Sequence, residues 1–363
     1  MDFKTNQQVL SELSRRLKEV KAHWKNELNP YLQLMVKENE LSVRYVSSDE
    51  KTFGYFRFQL DEVAEPGVCL IALEDWLGLN VRWKRAGLVR ISVAYPELVI
   101  ETLDGVYLRI PTHSFYFPEL LETLPVHCEL RVKEWQQLVL NQARTLANQH
   151  PLKEYEYVWL FAKEGEIVFQ SANETEWSCS RLTLMNVSTA QIIHAFDKTQ
   201  WLALKQMVDK NKVQATQKIQ LGWNERFVVV QFPQEVLLIE REMMIPCYLL
   251  NQTNWQPSFI WNSYFPKKEL EKIDRIALSE AFKLGGKLPK NFTVCIGEDG
   301  NYSTLTGFQL PYRSLNQYLK DDLETPIKVG VSQSFDSMPI VAFRKKIEQV
   351  ELLRFFASTL KRQ

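Results

Sequence analysis

The side chains best placed for chemistry in this sequence are cations, and the chemistry they offer is attraction to phosphate. Arg15, Lys18, Lys21 and Lys25 follow one another at spacings of three and four, Arg82 and Arg85 at three, and Lys198, Lys205 and Lys212 at seven. On helices each of these sets shares one face. Rows of this kind give salt-dependent attraction to a nucleic-acid backbone without reading bases. The same residues admit a plainer reading, because Lys and Arg form helices well and serve as solvated faces.

Catalytic groupings are absent by residue type and spacing. The five histidines, His23, His113, His127, His150 and His194, stand at no metal-ligand spacing with one another or with a cysteine pair. His127 and Cys128 are adjacent, so on a strand they face opposite sides. Leu284-Gly285-Gly286-Lys287 lacks the frame of a phosphate loop, and Glu298-Asp299 and Asp321-Asp322 fall in expected turns. The five cysteines, Cys69, Cys128, Cys179, Cys247 and Cys295, are scattered and mostly flanked by apolar residues, which reads as small core residues in a reducing compartment. No enzyme activity, cofactor or metal is expected.

Charge is balanced in total but not in distribution. The chain has 44 basic and 44 acidic residues. Six helices are expected: Gln7–Leu28, Leu73–Gly87, Val132–His150, Asp197–Lys212, Lys267–Lys283 and Tyr312–Lys320. Together they carry nine more basic than acidic side chains, leaving strands and loops nine more acidic than basic. No apolar run reaches the roughly 18 to 20 residues that a membrane span needs, and the opening residues do not form a signal segment, so a cytoplasmic protein without a membrane partner is expected.

The elements that carry these cations recur. Val46-Ser47-Ser48-Asp49-Glu50 and Gln170-Ser171-Ala172-Asn173-Glu174 read as hairpin tips offset by 124 residues, and Trp76-Leu77 and Trp201-Leu202 mark short helices offset by 125. Three strands follow each marker helix: Leu88–Tyr95, Glu97–Leu103 and Gly105–Pro111, then Lys218–Trp223, Arg226–Phe232 and Glu235–Glu240. A third, weaker copy has its tip at Gly297-Glu298-Asp299-Gly300 and final strands near Ile327–Ser332, Met338–Phe343 and Gln349–Phe356. Between tip and helix it is shorter by about ten residues, so one strand is short or missing. The pattern predicts an α+β protein of three repeated domains, 1–123, 124–253 and 254–363.

The first copy resembles the N-terminal domain of the bacterial DNA polymerase III beta subunits, the sliding clamps. The resemblance rests on Met1-Asp2-Phe3-Lys4 before a helix, Val46-Ser47-Ser48-Asp49 after the hairpin strand, and Glu65-Pro66-Gly67 before the strand leading to the second helix. It continues through Leu108-Arg109-Ile110-Pro111 to Phe117-Pro118-Glu119-Leu120. It implies domains of two helices packed on small antiparallel sheets, with two chains closing head to tail into a homodimeric ring. Such a ring encircles double-stranded DNA without sequence preference and acts as a processivity factor for a DNA polymerase or another DNA enzyme. It also implies that polymerase and clamp-loader peptides are partners, in a pocket drawing here on Trp177, Leu182, Ile245, Pro246 and Tyr248. Interdomain or core packing is the other reading of those five.

The sequence departs from the resemblance at that pocket. Asn173-Glu174-Thr175-Glu176-Trp177 stands where similar clamps carry a Thr-Asp-Gly-His-Arg-like stretch, and Met338-Pro339-Ile340 sits well before the end of the chain. A clamp-derived interaction scaffold that does not encircle DNA is the alternative function.

Overall fold

The computed structural model describes the chain apart from residues 25–27, 80–86, 103–104, 106, 115–116, 118–123, 143–155, 164, 173–175, 185–190, 211–216, 233–234, 242–259, 265–292, 297–301, 304–307, 312–324, 336–337 and 358–363. The first copy runs β1 (Asp2–Asn6), α1 (Gln7–Trp24), β2 (Tyr31–Lys37), β3 (Glu40–Val46), β4 (Thr52–Gln59), β5 (Glu62–Glu65), β6 (Gly67–Ala72), α2 (Leu73–Leu77), β7 (Leu88–Ala94), β8 (Glu97–Thr102) and β9 (Tyr107–Pro111). The second runs β10 (Cys128–Arg131), α3 (Val132–Gln142), β11 (Val158–Lys163), β12 (Glu166–Ala172), β13 (Glu176–Thr183), β14 (Ile192–Phe196), α4 (Lys198–Lys210), β15 (Lys218–Trp223), β16 (Phe227–Gln231) and β17 (Glu235–Glu240). The third contributes β18 (Ile260–Tyr264), β19 (Thr293–Ile296), β20 (Tyr302–Ser303), β21 (Phe308–Pro311), β22 (Ile327–Phe335), β23 (Met338–Ile347) and β24 (Val350–Ala357). The expected helices Lys267–Lys283 and Tyr312–Lys320 and the third hairpin tip lie outside the described residues.

The described strands form mostly antiparallel sheets in the orders β5-β1-β7-β8-β9, β10-β15-β16-β17-β4-β3-β2-β6, β14-β11-β12-β13-β24-β23-β22-β18 and β20-β19-β21. The opening strand of each copy pairs with the strand that begins its final trio, as β1 with β7, β10 with β15 and β18 with β22. Two of the sheets are eight-stranded rather than small, because the last strand of a copy crosses to the copy before it: β17 lies on β4 and β24 on β13. Contacts therefore divide the chain by sheet. One compact unit comprises Met1–Leu130 with Gln217–Arg241, the other Arg131–Thr216 with Glu242–Gln363.

Strand sequence follows strand position. β2 alternates, with Leu32, Leu34 and Val36 buried and Tyr31, Gln33 and Met35 partly open, as a strand with one covered face should. β17, in the middle of its sheet, buries Glu235 to Ile239 without a break, whereas β9 at an edge buries only Ile110. The joint between β4 and β17 is sealed by Val46, Phe53, Tyr55, Phe227, Val229, Val236 and Leu238, which form one core cluster drawn from both copies. Each such side chain contributes about 1.5–3 kcal/mol on burial.

Helix ends are also set locally. Asn6 Oδ1 accepts a hydrogen bond from Gln8 N–H at 2.9 Å at the start of α1. At α4, Gln200 N–H donates to Asp197 Oδ1 at 2.8 Å and Asp197 N–H donates to Gln200 Oε1 at 3.1 Å, a reciprocal capping box. α2 ends at Leu77, short of the expected Gly87, where Gly78 closes it by donating to Glu74 O at 2.7 Å. Tryptophan supplies much of the packing: Trp76, Trp135, Trp159 and Trp201 are among the largest fully buried side chains.

Candidate nucleic-acid interface

In the first unit, α1 buries Leu10, Leu13, Leu17, Val20 and Trp24, spaced three and four apart, and this stripe turns Arg15 and Lys18 outward. Arg15 does not stand free. Its guanidinium donates to Glu12 Oε1 at 2.6 Å and also bonds Glu19. Hydrogen bonding from Arg15, reinforced by Arg16, holds the Glu12 carboxyl down to about 2. Arg16 donates to Glu12 at 2.7 Å and lies 5.5 Å from the Phe56 ring centroid, so it is a packing residue.

α1 and α2 flank a groove of about 480 Å³ lined by Lys18, Lys21, Ala22, Glu74, Leu77 and Gly78. Lys21 Nζ is 2.5 Å from Glu74 Oε1 across it. Lys18 is exposed and forms no ion pair among the described residues. The groove wall thus offers one uncommitted cation beside one already neutralised. Lys25, Arg82 and Arg85 lie outside the described residues.

In the second unit, α4 buries Trp201, Ala203, Leu204 and Met207 and presents Lys198 and Leu202 to solvent. Lys205 is partly exposed, two turns from Lys198, and forms no ion pair among the described residues. Lys212 lies outside them. What sequence reasoning missed on α1 was legible: Glu12 and Glu19 stand three and four residues from Arg15, the spacing at which helical ion pairs form. The Lys21 to Glu74 pair needed the tertiary fold.

The candidate pocket residues separate. Leu182 is fully buried on β13, opposite Ile167 on one side and Val350 on the other. Trp177 is half-buried, paired with Ala172 and Phe355, and packs on a cluster of Trp159, Phe161, Ala172 and Ala195. Ile245, Pro246 and Tyr248 lie outside the described residues.

A polar network not foreseen from sequence lies beside them. Gln142 Oε1 accepts from Ser171 and Ser178 at 2.7 and 2.8 Å, and Gln142 Nε2 donates to Ser180 Oγ at 2.8 Å. Arg354, 1% exposed, donates to Asn141 O at 2.8 Å. These bonds tie the end of α3 to the sheet beneath it. The alternate serines of β13 were the available signal. No group of metal-ligating side chains and no helix long and apolar enough to cross a membrane occurs among the described residues.

No protein-family model matches the sequence, and no curated protein does. Solved structures match over nearly the whole chain. A DNA polymerase III subunit beta sliding clamp from Pseudomonas aeruginosa bound to griselimycin superposes with a TM-score of 0.70 at 12% identity, covering 99% of this chain and 100% of that one. The Helicobacter pylori beta clamp in complex with carprofen gives 0.72 at 11% identity, and the same clamp bound to a DNA ligase peptide 0.70 at 11%, both with that coverage. With its repeated strand order and this end-to-end superposition, the chain has the fold of the bacterial DNA polymerase III beta sliding clamps.

Proposed function

We propose that the protein is a DNA sliding clamp. Two copies of a three-domain chain, with domains 1–123, 124–253 and 254–363, close into a ring around duplex DNA and tether a DNA polymerase or another DNA enzyme. The observation that carries this reading is superposition on beta clamps across 99% of the chain. The mechanism is confinement, with weak phosphate contacts and no bond made or broken. Lys18 and Lys205 make the leading contacts, since neither is spent on an ion pair among the described residues. Arg15, Lys21, Lys25, Arg82, Arg85, Lys198 and Lys212 add to the same field. Arg15 and Lys21 contribute less because Glu12, Glu19 and Glu74 already hold them.

Short peptides of a polymerase and of a clamp loader are the proposed protein partners, seated against Trp177 with Ile245, Pro246 and Tyr248 and backed by Leu182. A beta clamp of the same fold bound to a DNA ligase peptide supports this mode. The decisive test is retention on DNA. Protein assembled on nicked circular DNA should survive a high-salt wash and be released when the circle is linearised, and Lys18→Glu with Lys205→Glu should lower retention at moderate salt. Equal retention on circles and linear DNA refutes encirclement.

A further inference from the structure

The two strand joints inside the chain are alike in layout and opposite in chemistry. At the first, β17 lies on β4, with Leu237 paired to Gly54 and Glu235 to Phe56, and Gly54 pairs in turn with Tyr45 on β3. At the second, β24 lies on β13, with Arg354 paired to Ser178 and Leu352 to Ser180, and Ser178 pairs in turn with Ser171 on β12. Row for row, Leu237 of β17 therefore corresponds to Arg354 of β24, and Glu235 to Leu352. Each arriving strand brings one buried ionisable side chain to its joint, an acid in one case and a base in the other, and in different rows. Glu235 is 5% exposed and Arg354 1%.

Each receiving sheet suits its own strand. At the first joint the missing side chain of Gly54 leaves room for the Tyr45 ring, whose hydroxyl donates to Glu235 Oε1 at 3.0 Å. That ring fills the row in which β24 carries Arg354. At the second joint the same row holds only Ser171 and Ser178, which both donate to Gln142 Oε1, and the Arg354 guanidinium donates to Asn141 O at 2.8 Å. Exchanging the strands breaks both arrangements. β24 set on β4 would drive Arg354 against the Tyr45 ring, away from its carbonyl, and would put Leu352 where Tyr45 needs an acceptor. β17 set on β13 would leave Asn141 O without its guanidinium and bury Glu235 away from the Tyr45 hydroxyl. A buried charge parted from its partner costs far more than an apolar mismatch.

We propose that these two buried groups assign the strands: Glu235 directs β17 to β4, and Arg354 directs β24 to β13. Together they keep either strand, whether from the same molecule or from another, out of the wrong sheet. Chains of repeated domains are prone to such exchange while a strand edge is open, and fixing register is the best-attested use of a buried polar group. This inference stands independently of the clamp reading, because it concerns only how the chain completes its own sheets.

Refolding of the full chain from urea, from submicromolar to high micromolar protein, tests it by size-exclusion chromatography with light scattering. Tyr45→Phe combined with Glu235→Leu removes the first assignment, and Arg354→Met the second, leaving apolar side chains in place. Each should refold into at least about threefold more soluble oligomer of native circular dichroism than the wild-type chain does, in a fraction that grows with concentration. Glu235→Gln and Arg354→Lys keep an acceptor and a donor and should refold as the wild-type chain does. Apolar variants that give the wild-type products with only a shifted urea midpoint overturn the proposal, because the polar groups then stabilise without assigning. Equal oligomer from the conservative and the apolar variants overturns it too. If an apolar variant fails to refold, the other joint and Tyr45→Phe alone, which removes a single hydroxyl, are read by the same outcomes.

Discussion

Replacing Gly54 with alanine should loosen the joint between β4 and β17 far more than one methyl group suggests. Gly54 pairs with Tyr45 on one side and Leu237 on the other, in ordinary strand backbone. A Cβ built there would lie 2.1 Å from Tyr45 Cζ and 2.3 Å from its hydroxyl oxygen. The ring has little freedom to yield. Trp24 meets it edge-on at 5.4 Å, Phe56 lies at 5.3 Å, and its hydroxyl donates to Glu235 Oε1 at 3.0 Å. Burial, with Glu235 adding to it, holds the Tyr45 phenol well above its ordinary range, so it remains a donor. Overpacking costs about 1–3 kcal/mol, and forfeiting a buried hydrogen bond to a carboxyl oxygen adds about 1–3 kcal/mol. A loss of about 3–5 kcal/mol is expected.

The assay is urea unfolding followed by tryptophan fluorescence, in which Trp24 reports on this core. In a Tyr45→Leu background the shorter side chain clears the space, and Gly54→Ala should become neutral or stabilising by about 0.5 kcal/mol, because alanine loses less backbone entropy than glycine in a strand. The coupling in this cycle should therefore nearly equal the single-mutant loss. A cost below about 1 kcal/mol for Gly54→Ala alone, or the same cost in both backgrounds, refutes the reasoning.

Glu12 gives a pH prediction. Its carboxyl is held near 2 in the folded chain against an ordinary 4.5. The folded state therefore binds this proton less readily than the unfolded one. The contribution is present above the ordinary value and is lost as pH falls through the folded one. Carbon NMR of the side-chain carboxyl should place its midpoint near 2, and a midpoint at the ordinary value would remove the Arg15 pairing. Glu12→Gln together with Glu19→Gln should free Arg15 on α1, steepening the salt dependence of DNA binding by about one phosphate contact, read from the slope of log affinity against log salt. Burial pushes the thiols of Cys69, Cys128 and Cys179 up to about 12. Native protein at about pH 8 should leave all three unalkylated by iodoacetamide, and mass spectrometry showing them labelled as fast as in denatured chain would contradict their burial.

The fold was legible where local pattern and topology agree. The strands Lys218–Trp223 and Glu235–Glu240 stand at the residues expected, because Trp223 and Asn224 end one apolar run and Pro233 breaks the next. Trp76 and Trp201, used only as repeat markers, are buried anchors of α2 and α4. Sheet size was not legible. Nothing local to Thr52–Gln59 says that its neighbour is residues 235–240, since strand pairing across copies is a tertiary choice. The cations of α1 were legible as a row but not as a balance: Glu12 and Glu19 were readable by spacing, whereas Glu74 reaches Lys21 only once α2 has packed beside α1. Leu182, for which core packing was the other reading, is core, and it shares its face of β13 with the buried Ser178 and Ser180, whose polarity gave no apolar pattern beside it.

The crossing of β17 onto β4 sets a timetable for biosynthesis. Thr52 leaves the ribosome long before its neighbour Ile239 has been translated, so the nascent first copy carries a bare strand edge for much of synthesis. β4 presents Phe53, Tyr55, Phe56 and Phe58 along that edge, the kind of aromatic strand that recruits foreign β-structure when uncovered. β13 waits in the same way for β24, which is translated only after the other described strands of the third copy. Truncated products should therefore be sticky rather than merely incomplete. The first copy is finished by the second and the second by the third, and the chain depends on an uninterrupted passage through translation.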